Sequence, residues 1–129
     1  MCSSDLINAG IPSIMGSHWM RMHLPVSKNQ ELSYTGRLMD ASECRDLGLL
    51  NVVAPPGEVR SAAVALAREV AAKPSVALKR TKMRFRELAL PAFEDAFRAG
   101  VLGQQEAFAA GEPQAIMARF MAERAARKR

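Results

Sequence analysis

Cysteines and aromatic residues are scarce in this chain, and it contains no long apolar run. Two cysteines in 129 residues, Cys2 and Cys44, are too few and too far apart for a disulfide framework or a zinc knuckle. They point to a reducing, cytoplasmic setting, with a buried thiol as the plain reading. Aromatics make up 5% of the residues, with one tryptophan and one tyrosine. Rings are not interleaved with cationic side chains, so a surface that stacks on bases is not expected. No stretch reaches the roughly 18–20 apolar residues of a membrane span, and no cationic segment followed by an apolar block opens the chain. Histidine is equally sparse. His18 and His23 are five residues apart and fall on different sides of a helix, with no partner ligand one turn away. No metal site is expected, and both are read as surface or boundary residues.

Hydrophobic residues are plentiful at 49%, and 129 residues suit one domain with a core of its own. The net charge of +5 is concentrated. Lys79, Arg80, Lys82, Arg84 and Arg86 form one cluster, and Arg119, Arg124, Arg127, Lys128 and Arg129 form another. Both read first as solvated helix faces. A small basic helical module that binds nucleic acid or protein is the alternative they allow.

From residue 40 onward the chain is punctuated into helices. Asp40 followed three residues later by Glu43 is a capping-box pattern, and Gly48 supplies a left-handed stop. Asn51–Ala54, closed by Pro55-Pro56, suits one short strand or an extended segment. Between Glu58 and Ala72, Val59, Ala62, Ala63, Leu66 and Val70 recur at three and four residues, which predicts a helix with one buried face. A second helix is predicted from Ser75 to Ala89, with Leu78, Phe85 and Leu88 on one side. Pro91 is placed to open a third in its first turn, striped by Phe93, Ala96, Phe97, Val101 and Phe108. Gly100 and Gly103 are its soft points, each costing up to about 1 kcal/mol relative to alanine. Gly111-Glu112-Pro113 breaks the chain before a last helix marked by Ile116, Met117, Phe120 and Met121.

The opening residues carry less pattern. Ala9-Gly10-Ile11-Pro12 reads as a strand end or loop, and Ser13–Leu24 as a helix interrupted before Pro25. Ser27 is placed to cap a short helix that runs to Thr35 and stops at Gly36.

One ordered set of residues resembles a known family. Ile11-Pro12, Gly16-Ser17, Glu31-Leu32, Thr35-Gly36-Arg37, Ala41, Gly48-Leu49, Val52-Val53 and Pro55 follow in the order of the second half of a crotonase, the enoyl-CoA hydratase/isomerase family. Pro74, Lys82 and Phe120 continue the likeness, which covers roughly residues 7–125. The set is specific although each motif alone is weak. The resemblance implies a chain that is mainly α with minor β, the C-terminal helical part of the α/β ββα-spiral fold. Residues 7–55 would end the crotonase core, and residues 56–129 would be the helical region that helps form a homotrimer or a dimer of trimers. Residues 1–6 lack the family's Pro-Glu pattern, and one back-translation of them reads like a sequencing-library adapter. They are expected to be a non-native leader.

The family likeness also implies chemistry. The longer enzyme would bind an acyl-CoA thioester, stabilise its enolate at an oxyanion hole of two backbone N–H groups, and hydrate or isomerise a double bond. It needs no cofactor beyond the coenzyme A of its substrate. Both oxyanion donors and the first of two catalytic glutamates belong to segments that would precede this chain, so the chain alone is expected to be inactive. The second glutamate aligns with Asp5, one methylene shorter. Ser13 stands where hydratases often have a loop glycine whose N–H holds the catalytic water, and its plain reading is a helix N-cap. Phe120 aligns with an aromatic near the coenzyme A of a neighbouring subunit. A nearby phosphate-binding lysine is replaced by Glu123, leaving Arg124 or Lys128 to substitute and Lys82 as a further candidate. Trp19, Met20 and Met22 suit either an acyl pocket or ordinary core packing.

Overall fold

The computed structural model describes residues 5–126. A 3-10 helix, Asp5–Ala9, leads into α1 (Ile14–Met20), α2 (Val26–Thr35), α3 (Ala41–Asp46), α4 (Val59–Ala71), α5 (Ser75–Ala109) and α6 (Glu112–Ala126). The mainly helical reading holds. Among the described residues there is no strand, and Asn51–Ala54 forms neither helix nor ladder. A single short strand needs a neighbour to receive its backbone hydrogen bonds, and none of the described segments offers one.

The core lies within α1, α2 and α3. Met20, Leu24, Leu32, Met39 and Cys44 are buried together, with Leu47 and Leu49 packed against them. Local signals shape this unit. After α1 the chain turns at Arg21–Leu24, where the His23 and Leu24 N–H groups both donate to the Met20 carbonyl, at 3.0 and 2.8 Å. The predicted Ser13–Leu24 helix is therefore shorter, because Leu24 precedes Pro25 and that proline disfavours helical backbone before it. Pro25, and not Ser27, occupies the N-cap of α2, its carbonyl accepting from the Asn29 N–H. Gly36 ends α2 at φ 60° and Gly48 follows α3 at φ 76°, the left-handed stops the sequence predicts.

Further along, the prediction departs from the structure in two ways. Pro91 does not open a helix; it lies inside the 35-residue α5. Its missing N–H frees the Glu87 carbonyl, but residues 84–92 are exposed apart from half-buried Ala89, so water can satisfy that oxygen. The second departure is the absence of a buried face on α4. Val59, Leu66 and Val70 are 61%, 44% and 43% exposed, and Phe85, Leu88 and Phe120 on the next two helices are 71%, 62% and 56% exposed. The stripes are present as predicted and remain largely exposed; residues 49–54 only border Val59, Ala62, Ala63 and Leu66 across an open cleft.

α5 does find a partner in α1. Ala96 and Ala107 are buried, and Gly100 and Gly103 lie beside α1 and the residues before it. Gly103 is therefore a point of close approach as well as a weak helix former. A Cβ there would stand 3.0 Å from Ile14 Cδ1 and 3.2 Å from Pro12 Cγ, whereas one at Gly100 would meet Met15 Cγ at an ordinary 3.6 Å. Helix propensity favours alanine at both sites by up to about 1 kcal/mol. Overpacking against a rigid proline ring costs about 1–3 kcal/mol. Gly100→Ala should thus raise stability by about 0.5–1 kcal/mol and Gly103→Ala lower it by about 1 kcal/mol, as read by urea unfolding. Equal gains from both would refute the close approach.

Candidate functional site

The 3-10 helix, α1 and α2 border a solvent-open cavity of about 370 Å³ whose walls include Ile7, Pro12, Ser13, Asn29, Ser33 and Tyr34. Ser13 is the N-cap residue of α1, and its carbonyl accepts from the Ser17 N–H at 3.0 Å. Its φ of −85° suits any residue, so this position carries no left-handed strain. The side chain does not cap the helix. Ser13 is 9% exposed, and its buried Oγ has no hydrogen-bond partner among the described residues.

The other polar groups of the cavity wall are partly committed. Asn29 Nδ2 donates to the Ser17 carbonyl at 2.7 Å, Ser33 Oγ donates to Asn29 Oδ1 at 3.2 Å, and Ser17 Oγ donates to the Ile14 carbonyl. Asn29 is buried, and sequence reasoning passed over it. A polar residue in the middle of an amphipathic helix was the only available signal. The lining residues carry no carboxylate, imidazole or thiol, so they offer hydrogen bonds but no general base.

Apart from this cavity, an ion cluster ties α2 to α3, which gives the Thr-Gly-Arg turn a structural purpose. Arg37 donates from Nε to Glu31 at 2.6 Å and in bidentate fashion to Glu43 at 2.9 and 2.6 Å. Lys28 donates to the other oxygen of Glu31 at 2.7 Å. The capping box is consequently only half formed. Asp40 accepts from the Glu43 N–H at 2.8 Å, while the Glu43 carboxylate turns to Arg37. Sequence spacing could not show this, because Gly36 reverses the chain between Glu31 and Arg37.

The Arg37 and Lys28 hydrogen bonds hold the Glu31 carboxyl down at about 2, from an ordinary 4.5, and Arg37 holds Glu43 low as well. Groups with depressed folded values contribute stability above their unfolded values and lose it as they are protonated. Stability should therefore be flat from pH 7 to about 5 and fall between about pH 4.5 and 2, less steeply at high salt because the three side chains are about one-third exposed. Arg37→Met should flatten this slope in a pH series of urea melts. An unchanged slope would assign the acid sensitivity to other carboxylates.

The remaining sequence candidates are dispersed. Asp5 opens the 3-10 helix, but its side chain lies outside the described residues, as does Lys128. Phe120 and Arg124 are exposed on α6, and Lys82 is exposed on α5. None of these three lines the Ser13 cavity. Met20 is core, as ordinary packing requires. Trp19 lies 6.0 Å from Phe93 by ring centroids, and Met22 is 47% exposed. His18 is half-buried beside Trp19 and His23 is exposed. No helix among the described residues is long and apolar enough to cross a membrane.

The chain is similar in sequence to known proteins. The "Putative enoyl-CoA hydratase" of Thermus thermophilus is 45% identical over 75 residues, covering 57% of this chain and 29% of that protein. The "Probable enoyl-CoA hydratase 2, mitochondrial" of Arabidopsis thaliana is 32% identical over 72 residues, covering 56% of this chain and 24% of its own length. Each match thus spans less than a third of the relative. No solved structure matches the chain. The sequence model described as enoyl-CoA hydratase/isomerase matches residues 6–127, nearly the whole chain, and on that match the chain belongs to the enoyl-CoA hydratase/isomerase family.

Proposed function

We propose that this chain works as the C-terminal portion of a longer acyl-CoA enzyme that hydrates or isomerises an enoyl thioester, and that it is inactive alone. In that reading residues 7–55 complete a catalytic core and residues 56–129 form the helical region through which subunits associate as trimers. The observation that carries it is the exposed surface. The accessible area is 10089 Å², whereas a compact monomer of 14.1 kDa exposes about 6,700 Å² by size scaling. The excess lies where apolar stripes on α4, α5 and α6 face solvent, as expected of helices shaped to lie on further structure.

Chemistry supports the same division. Hydration adds water across the double bond, its hydroxyl to C3 and a proton to C2, and the thioester oxygen gains negative charge on the way. That charge needs preorganised N–H donors, and the added water needs a base within hydrogen-bond reach. The Ser13 cavity supplies hydrogen bonds but no base among its lining residues. Turnover in this reading depends on groups brought by preceding segments, which Asp5 would join as a positional match for the second glutamate.

The test is reconstitution. The purified chain, mixed with a short trans-2-enoyl-CoA, should leave the conjugated thioester absorbance unchanged beyond the uncatalysed rate. Co-expression with the preceding segments of the Thermus thermophilus relative should yield an assembly that consumes the thioester. Turnover by the chain alone would overturn the division of labour. A soluble assembly without turnover would overturn the reaction assigned to it.

A further inference from the structure

We infer that two copies of this chain pair along α5 with their helices antiparallel, so that the basic half of each lies on the acidic half of the other. The first part of α5 faces solvent on every side. Residues 75–92 are exposed apart from half-buried Ala89, while Gly100 and Gly103, further along, lie against α1 and the residues before it. Helices draw most of their stability from packing an apolar side. Arg80 with Arg84, and Lys82 with Arg86, are like charges one turn apart that oppose the helix. Such a segment gains from a partner that offers both apolar side chains and negative charge.

A second copy of α5 offers both. Val76, Met83, Leu90 and Phe97 recur every seven residues and are all exposed, and Arg80, Glu87 and Glu94 form the adjoining row at the same spacing. Charge divides at the middle of this stretch. Residues 76–86 carry Lys79, Arg80, Lys82, Arg84 and Arg86 and no carboxylate, whereas residues 87–97 carry Glu87, Glu94 and Asp95 and no cation. Parallel helices would bring like halves together. Antiparallel helices, aligned with Val76 across from the partner's Phe97 and Met83 across from the partner's Leu90, bring opposite halves together and oppose all four apolar side chains. The same alignment sets Arg80 beside the partner's Glu94 at both ends. Glu87 meets its own copy at the centre, and Arg84, 3.5 Å away on the same chain, offsets that repulsion. Flanking charges of this kind set orientation in paired helices. A two-fold contact uses the same surface on both chains and closes after two.

Crosslinking of full-length cysteine variants tests the orientation, in a Cys2→Ser background where Cys44 is buried. Val76→Cys and Phe97→Cys place thiols about 30 Å apart along one helix, at exposed positions that the core does not use. A short bismaleimide should join the two variants when they are mixed and leave each variant alone uncrosslinked. Glu94→Arg should weaken pairing about tenfold in sedimentation, because it turns two exposed ion pairs into repulsions. Combining it with Arg80→Glu should restore the pairing. Crosslinking of Val76→Cys with itself, equal crosslinking in all three samples, a monomer in sedimentation, or a double variant no better than Glu94→Arg would each overturn the inference. The pairing does not depend on the function proposed above. None of these measurements needs turnover, so their failure leaves the proposed reaction standing, and failed reconstitution leaves the pairing standing.

Discussion

Leu32→Ala should largely unfold the segment from α1 to α3. Leu32 is the fully buried side chain at the centre of the cluster formed with Met20, Leu24, Met39 and Cys44. Truncating a buried leucine costs about 2–5 kcal/mol, from lost transfer energy and the cavity left behind. Small domains hold only about 5–15 kcal/mol in total, and a chain with so much exposed surface belongs at the low end of that range. The loss is thus comparable with the stability of the unit. Leu88→Ala is the matched control, because Leu88 is 62% exposed and exposed substitutions usually fall within about 0.5 kcal/mol. Urea unfolding followed by near-ultraviolet circular dichroism should separate the two variants. Similar losses from both would mean that the core is not where the burial places it.

The second large effect is self-association. Val76, Met83, Leu90 and Phe97 recur every seven residues along α5 and are 73%, 41%, 40% and 54% exposed. Residues seven apart share one side of a helix, so these four lie along one side of α5, with Lys79, Arg80, Arg86 and Glu87 between them. Phe85 adds a second exposed ring at 71%. Exposed apolar patches of this extent mark surfaces that associate. The isolated chain should therefore sediment as oligomers or larger aggregates at micromolar concentration. Phe85→Glu combined with Phe97→Glu should shift it toward monomer. Burying one phenylalanine is worth about 1.5–3 kcal/mol, so removing two should weaken association roughly a hundredfold or more. Helical circular dichroism should be unchanged, since neither side chain belongs to the core. A sample that is monomeric from the start and melts cooperatively would refute this reading of the exposed stripes.

Much of the helical architecture was legible because its signals are local. Asp40, Gly36 and Gly48 act on the backbone within a few residues of themselves, and the structure has them in those roles. The periodic stripes were legible for the same reason. What covers a stripe is a different matter. The pattern Val59, Ala62, Ala63, Leu66 and Val70 says that one face is apolar, but burial depends on another surface, and residues 49–54 only border part of that face across an open cleft. Pro91 shows a similar limit. Its missing N–H is a local fact, but whether the helix ends there depends on how the freed carbonyl is satisfied, and that depends on exposure.

The candidate site divides in the same way. Ser13 could be singled out by its place in an ordered set of motifs, and it stands at the N-cap position of α1, but its side chain does not cap the helix. Asn29, Ser33 and Tyr34 could not, because they join Ser13 only when α2 folds back across α1. The Glu31, Arg37 and Glu43 cluster likewise depends on the reversal at Gly36.

By itself the sequence determined the family, the positions of the helix stops and the apolar side of each helix, since these follow from residue identity and short-range backbone preference. Tertiary structure decided which apolar sides are covered, that Gly103 is a contact, that Glu43 serves Arg37 instead of closing a capping box, and that Ser13 is buried. Each of these depends on distances between residues far apart in the chain, which local preference does not encode.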